Sequence, residues 1–215
     1  MRKLRIDPDD LALLVIDVQP YFLDYAFPEN ERGRESLLIR LEHLLLLAGW
    51  LDLPLIATFE IPLDQNGELP ERLERVFPKS GLRFPKNYFG VTGEKAILQS
   101  IQDADNKQIA LAGAETDVCI LQSALGLLEL GYQVFLLEDC LFTTEPHPGP
   151  ALRRMIQAGA VPLTLKSLAY ELVRCVEEIP WYPEYYQQRD HPGKKPFPEE
   201  FIPPEEWPEW DPKLE

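Results

Sequence analysis

The stretch QIALAGAETDVCILQSALGLLELG, Gln108 to Gly131, holds a strand, a sharp turn and a helix in one short run. QIALAG is small and apolar without alternation, which suits a strand covered on both faces. LQSALGLLELG has leucines at helical spacing and stops at Gly131. Gly113 and Ala114 leave room for the turn, Thr116 or Asp117 can cap the helix, and Cys119 stands where strand passes into helix. The first amides of a helix lack intrahelical partners and the macrodipole is positive there, so this position favours thiolate over thiol. Against that, most free cysteines are small buried hydrophobes.

The same alternation continues on either side. LALLVIDV (Leu11 to Val18) is a continuous apolar run, and ESLLIRLEHLLLLAGWL repeats leucine with helical period. LIATF after Pro54 reads as a buried strand and KAILQSI, from Lys95 to Ile101, as a short helix. Beyond the helix Asp117 to Leu130 come the strand QVFLLED, the helix ALRRMIQAG, the strand AVPLTL and the closing segment SLAYELVRCV. Strand and helix in alternation predict an α/β fold: a doubly wound, mostly parallel sheet of five or six strands with helices on both faces.

A chain of 215 residues with 45% hydrophobic content supports one substantial domain. The net charge of -15 is spread along the chain, which argues against nucleic acid or an anionic membrane as partner, since both select basic patches. No segment is apolar for the length of a membrane span, and MRKLRIDPDDLALL lacks the apolar run of a signal peptide. Three cysteines without a pairing motif point to free thiols and a reducing cytoplasm.

From Pro180 the texture changes. Prolines crowd WYPEYYQQRDHPGKKPFPEEFIPPEEWPEWDPKLE and exclude regular helix or central strand. The domain is therefore expected over 1–179, with a Pro/aromatic-rich extension over 180–215. Trp181, Tyr182, Tyr185, Tyr186, Phe197, Phe201, Trp207 and Trp210 exceed what a solvated tail needs, so the extension reads as a strap for its own domain or a neighbouring subunit.

In an open parallel sheet ligands bind beyond the carboxyl ends of the strands. Asp17 stands at the end of the first strand in LLVIDVQPYF, Cys119 follows QIALAG, and Lys86 lies in the segment GLRFPKNYFG. Singly, a strand-end aspartate caps a turn and a lysine is solvated. Together, LALLVIDVQPYFLD, FPKNYFGVT, LAGAETDVCILQSALGLLELGYQVFLLEDC and MIQAGAVPLT resemble the successive signatures of the isochorismatase-like cysteine hydrolases, over roughly Leu11 to Cys175. That family includes nicotinamidases, carbamoylsarcosine amidase, ureidoacrylate amidohydrolases and isochorismatase itself. The resemblance implies a catalytic triad of Asp17, Lys86 and Cys119, and an oxyanion hole from the backbone amides of Glu115 and Cys119. It also implies a cis peptide between Ala114 and Glu115, which a sequence never reveals by itself.

The chemistry is coherent. A carboxylate can take the thiol proton, and a lysine can compensate the charge that develops. Cleavage of a C–N bond in a small amide through a thioester follows, and replacing any of the three should abolish turnover and spare the fold. Nicotinamidases bind a metal through an aspartate and histidines after the second strand; here ATFEIPLDQNGELPERL has no histidine. His43, His147 and His191 have no ligand spacing, while Glu60 and Asp64 read as solvated, so no metal or other cofactor is expected. Isochorismatase proper lacks the cysteine, and ETDVCILQSAL with MIQAGAVPLT resembles relatives without an assigned substrate. Gln19, Tyr21, Phe22, Phe59, Tyr88 and Phe89 flank the motifs and are candidate substrate contacts. The family's members commonly form dimers or larger rings, which implies a homo-oligomer. Two rival readings are a non-catalytic binding protein closed by its tail and a thiol that reacts with oxidants.

Overall fold

The structure, a computed structural model, describes residues 4–174. Among them, β1 (Leu11–Ile16), β2 (Leu55–Glu60), β3 (Leu82–Lys86), β4 (Gln108–Gly113), β5 (Gln133–Leu141) and β6 (Val161–Leu163) form one sheet in the order β3-β2-β1-β4-β5-β6. Every adjacent pair is parallel. The expected α/β doubly wound architecture is therefore present, with six strands. Strand order reverses between β1 and β4, so the binding crevice of such a sheet opens at their carboxyl ends.

The helices are α1 (Pro20–Ala26), α2 (Glu31–Trp50), α3 (Leu63–Asn66), α4 (Glu71–Glu74), α5 (Lys95–Asp103), α6 (Leu121–Glu129), α7 (Gly149–Ala158) and α8 (Leu165–Val173). One core forms where Ile97 and Ile101 of α5, Ala124 and Leu127 of α6, and Met155 of α7 meet Leu14, Ile16, Ile109, Leu111, Val134 and Leu136 of the strands. These are alternate strand positions. The residues between them, Leu13, Val15, Ala110 and Phe135, are also buried, on the face that α2 covers with Leu37, Leu41, Leu44, Leu45 and Ala48. Burial on both faces is the reason β1 and β4 read as unbroken apolar runs.

Three features differ from the sequence reading. The strand β3 was not expected, because LRFPK has no apolar run and contains proline; at the sheet edge Pro85 needs no outward donor. The short helices α1, α3 and α4 were likewise not read from the sequence. The helix expected from Asp117 begins instead with a π-helical turn, Thr116–Ile120, in which Ile120 N–H donates to Glu115 O at 3.0 Å. Neither Thr116 nor Asp117 caps it. Thr116 Oγ1 donates to Phe142 O at 3.0 Å and Asp117 accepts from Thr143 Oγ1 at 2.5 Å, because the chain leaving β5 supplies their partners.

The chain divides into a compact unit, Met1–Ala169, and a second, Tyr170–Glu215. Most of the second unit, including the expected boundary at 179/180 and the aromatic extension, lies outside the described residues.

Candidate active site

Four strand ends bring their side chains to one point. Asp17 follows β1 with φ 50°, and its N–H donates to Thr58 O at 3.0 Å. Thr58 Oγ1 donates to Asp17 Oδ1 at 2.9 Å, fixing the carboxyl plane. Lys86 ends β3 and places Nζ 2.7 Å from Asp17 Oδ2 and 3.4 Å from Cys119 Sγ. The loop that follows is held by Glu94, whose carboxylate accepts from Asn87 N–H at 2.5 Å and Tyr88 N–H at 3.0 Å. Those bonds from Asn87 and then Tyr88 hold the Glu94 carboxyl below its usual range.

Glu60 ends β2 in register with Lys86. Its Oε2 accepts from Cys119 Sγ at 3.4 Å and lies 3.6 Å from Lys86 Nζ. By sequence alone Glu60 and Asp64 read as solvated carboxylates. Asp64 is exposed, but Glu60 is not a bystander, because the register that pairs it with Lys86 carries it to the thiol.

Asp17, Lys86 and Cys119 are almost wholly removed from water, at 0%, 1% and 2% exposure. Burial pushes the Asp17 carboxyl above the ordinary carboxylate range, against the opposing pull of Lys86, Thr58 and Cys119. Burial also works against the charge on Lys86, yet Asp17, with Cys119 and Glu60 behind it, holds the ammonium above the usual lysine range. Burial and then repulsion from Asp17 push the Cys119 thiol well above its ordinary value, and the attraction of Lys86 does not reverse this. Burial at this position therefore opposes the thiolate that the helix terminus alone favours. Desolvation outweighs the terminus, and the sulfur ionises only when its proton is taken.

Asp17, Glu60 and Cys119 could each offer a metal one atom, all within 4.8 Å of one another. Lys86 Nζ already stands 2.7, 3.6 and 3.4 Å from these groups, so the cluster contains its own cation and does not fit a metal. Among the histidines, His43 lies on α2 and His147 in the loop before α7.

The amides around the turn are partly committed. Thr116 N–H donates to Phe142 O, and Val118 and Ile120 N–H both donate to Glu115 O, at 3.0 to 3.1 Å. The Ala114–Glu115 peptide is cis.

The candidate contact residues divide in two. Gln19 is buried, with its side chain committed to Glu60 and Gly67, and Phe22 and Phe59 are buried. Tyr21, Tyr88 and Phe89 are exposed, Tyr21 packing edge-on against Phe22 with ring centres 5.3 Å apart.

A model of the isochorismatase domain matches residues 11–167. The chain belongs to the isochorismatase family. Isochorismatase family protein 1B of Dictyostelium discoideum is 30% identical over 173 residues, 79% of this chain and 82% of that protein. The structure of YcaC from Pseudomonas aeruginosa with hexane-2,5-diol and covalent acrylamide superposes with TM-score 0.76 at 25% identity, over 90% of this chain and all of that one, its coverage being 100%. The YcaC gene product of Escherichia coli, described as an octameric hydrolase of unknown specificity, superposes with TM-score 0.74 at 26% identity, over 88% and 98%. Within this isochorismatase fold the matched segment runs from the first residue of β1 into α8, and so contains every residue of the cluster.

Proposed function

We propose that this isochorismatase-family protein is a cysteine hydrolase that cleaves the C–N bond of a small amide through a thioester, with Asp17, Lys86 and Cys119 as its catalytic triad. The observation that carries the proposal is the Lys86 ammonium lying 2.7 Å from Asp17 and 3.4 Å from Cys119, all three excluded from water. A carboxylate, an ammonium and a thiol buried together are costly to keep unless each supports the ionisation of another.

Asp17 takes the Sγ proton as the sulfur attacks the carbonyl carbon, and Lys86 balances the negative charge that moves from carboxylate to sulfur. The tetrahedral oxygen is received by the backbone amides of Glu115 and Cys119, at the turn whose Thr116, Val118 and Ile120 amides are otherwise engaged. Collapse expels the amine, which takes the proton back from Asp17. Water then attacks the thioester with Asp17 as base, releasing the carboxylic acid and restoring the thiol. Tyr21, Tyr88 and Phe89 are the exposed candidates for the pocket wall. That a covalent acrylamide is recorded in a YcaC relative supports entry of a small primary amide into this fold. The octameric relative supports a homo-oligomer, and the free thiols a reducing cytoplasm.

The test is ammonia release from a panel of small primary amides and ureido compounds, with Cys119→Ala as control. Activity that survives Cys119→Ala overturns the thioester route. The burial of Cys119 favours one rival, a binding protein with a closed site. Slow alkylation of the thiol with no protection by any turned-over amide identifies that case.

A further inference from the structure

We infer that Glu60 is the specificity-determining carboxylate of this site: it accepts a hydrogen bond from an N–H or ammonium group next to the scissile carbonyl, so the substrates are neutral or cationic amides and ureas and not anionic ones. The inference rests on the cysteine-hydrolase reading and deepens it.

Among the clustered groups Glu60 is the one that meets solvent. Its side chain is 23% exposed, whereas those of Lys86 and Asp17 are 0%. A molecule approaching the sulfur from solvent therefore meets this carboxylate first. The chain also invests buried polar groups in holding it. Gln19 Oε1 accepts from Glu60 N–H at 2.8 Å, while Gln19 Nε2 and Asn66 Nδ2 donate to Glu60 O at 3.1 and 3.0 Å. Gln19 is 0% and Asn66 7% exposed, so two side chains otherwise costly to bury fix the backbone of one residue. A merely solvated strand-end glutamate needs no such anchoring.

The charge count gives the anchoring a purpose. Two carboxyl groups, Asp17 and Glu60, face a single ammonium, Lys86, which lies nearer Asp17 at 2.7 Å than Glu60 at 3.6 Å. Glu60 is the under-compensated partner. In the resting arrangement it accepts from the Cys119 thiol at 3.4 Å, and once that proton passes to Asp17 it faces a thiolate instead. A substrate N–H beside the carbonyl replaces the lost donor and relieves the repulsion. A substrate carboxylate in the same place adds a third negative group.

The test uses three methanethiosulfonates, cationic, neutral and anionic, each rate on Cys119 divided by that on a small free thiol, with Cys119→Ala protein as background. The expected result is a cationic-to-anionic ratio of about tenfold or more, falling by about tenfold in Glu60→Gln, as loss of one charge-assisted contact implies. The ratio should also fall with added salt in the unmodified protein, a measurement that needs no variant. A ratio near unity, or one that neither Glu60→Gln nor salt changes, overturns the role of Glu60 and leaves the hydrolase reading standing. No modification by any probe overturns both, because a substrate must reach the same sulfur. Loss of ammonia release from every amide with the charge preference intact overturns the hydrolase reading alone.

Discussion

A Cβ built on Gly113 would fall 1.9 Å from the carbonyl oxygen of Ile16, and Gly113 has φ +110°. The next amide, Ala114 N–H, donates to that same oxygen at 2.8 Å. Close approach of β1 and β4 at this point sets Asp17 and Cys119, which follow them, within reach of one another. Gly113→Ala should therefore cost about 2–6 kcal/mol, from a left-handed backbone plus a clash with main chain rather than with a movable side chain. Thermal unfolding should show Tm lower by about 5 °C or more; an unchanged Tm would contradict the close approach.

Replacing the members of the proposed triad should not have equal effects on stability. Cys119→Ala removes a neutral buried thiol and should abolish turnover with little change in Tm. Lys86→Met leaves the buried Asp17 without its ion-pair partner and should cost about 3–5 kcal/mol as well as all activity. The expectation that each single replacement spares the fold is thus revised for Lys86. Chemical denaturation of both variants decides it, and equal midpoints would show that Asp17 is satisfied without the lysine.

Stability should fall on the alkaline side. Cys119 and Lys86 both have folded values raised above their unfolded ones, so in each case the folded protein binds more protons between the two values. The resulting stability is full below the unfolded value and is lost as pH rises toward the folded one, a window starting near 9.0 for the thiol and 10.5 for the lysine. Cys119→Ala should flatten the decline between pH 9 and 10 in a series of thermal melts, against a background from Cys140, whose buried thiol is raised in the same direction. A slope identical in the two proteins would be evidence against the buried neutral thiol.

A chelator should leave turnover unchanged, since Lys86 stands where a cation would sit between Asp17, Glu60 and Cys119. Activity lost in EDTA and regained with zinc, manganese or iron would reverse that conclusion.

Cutting the chain after Ile179 should reduce the size or stability of a homo-oligomer, if the aromatic extension straps subunits together. Light scattering and melting of the full and shortened proteins give the answer, and an unchanged mass and Tm would exclude the strap.

The elements most legible in the sequence are those whose physics is local or strongly periodic. LALLVI and QIALAG suit strands covered on both faces, and the leucines of α2 recur at helical spacing. Asp17, Lys86 and Cys119 were singled out by motif, Asp17 and Cys119 also by standing just after strands, where a parallel sheet binds ligands. The edge strand β3 escaped because edge position, which makes Pro85 tolerable, is a property of strand order and not of the segment. Glu60 escaped because a glutamate ending a strand carries no local mark of its neighbours.

The sequence by itself determined the α/β alternation and the room for a turn at Gly113, because each depends on near neighbours in the chain, while Asp17, Lys86 and Cys119 were singled out by their match to the family's motifs. The tertiary structure alone decided that Glu60 joins them and that burial raises the Cys119 thiol above its ordinary value. Both depend on parallel register between distant strands and on exclusion of water around the packed charges, and neither quantity exists until the sheet has closed.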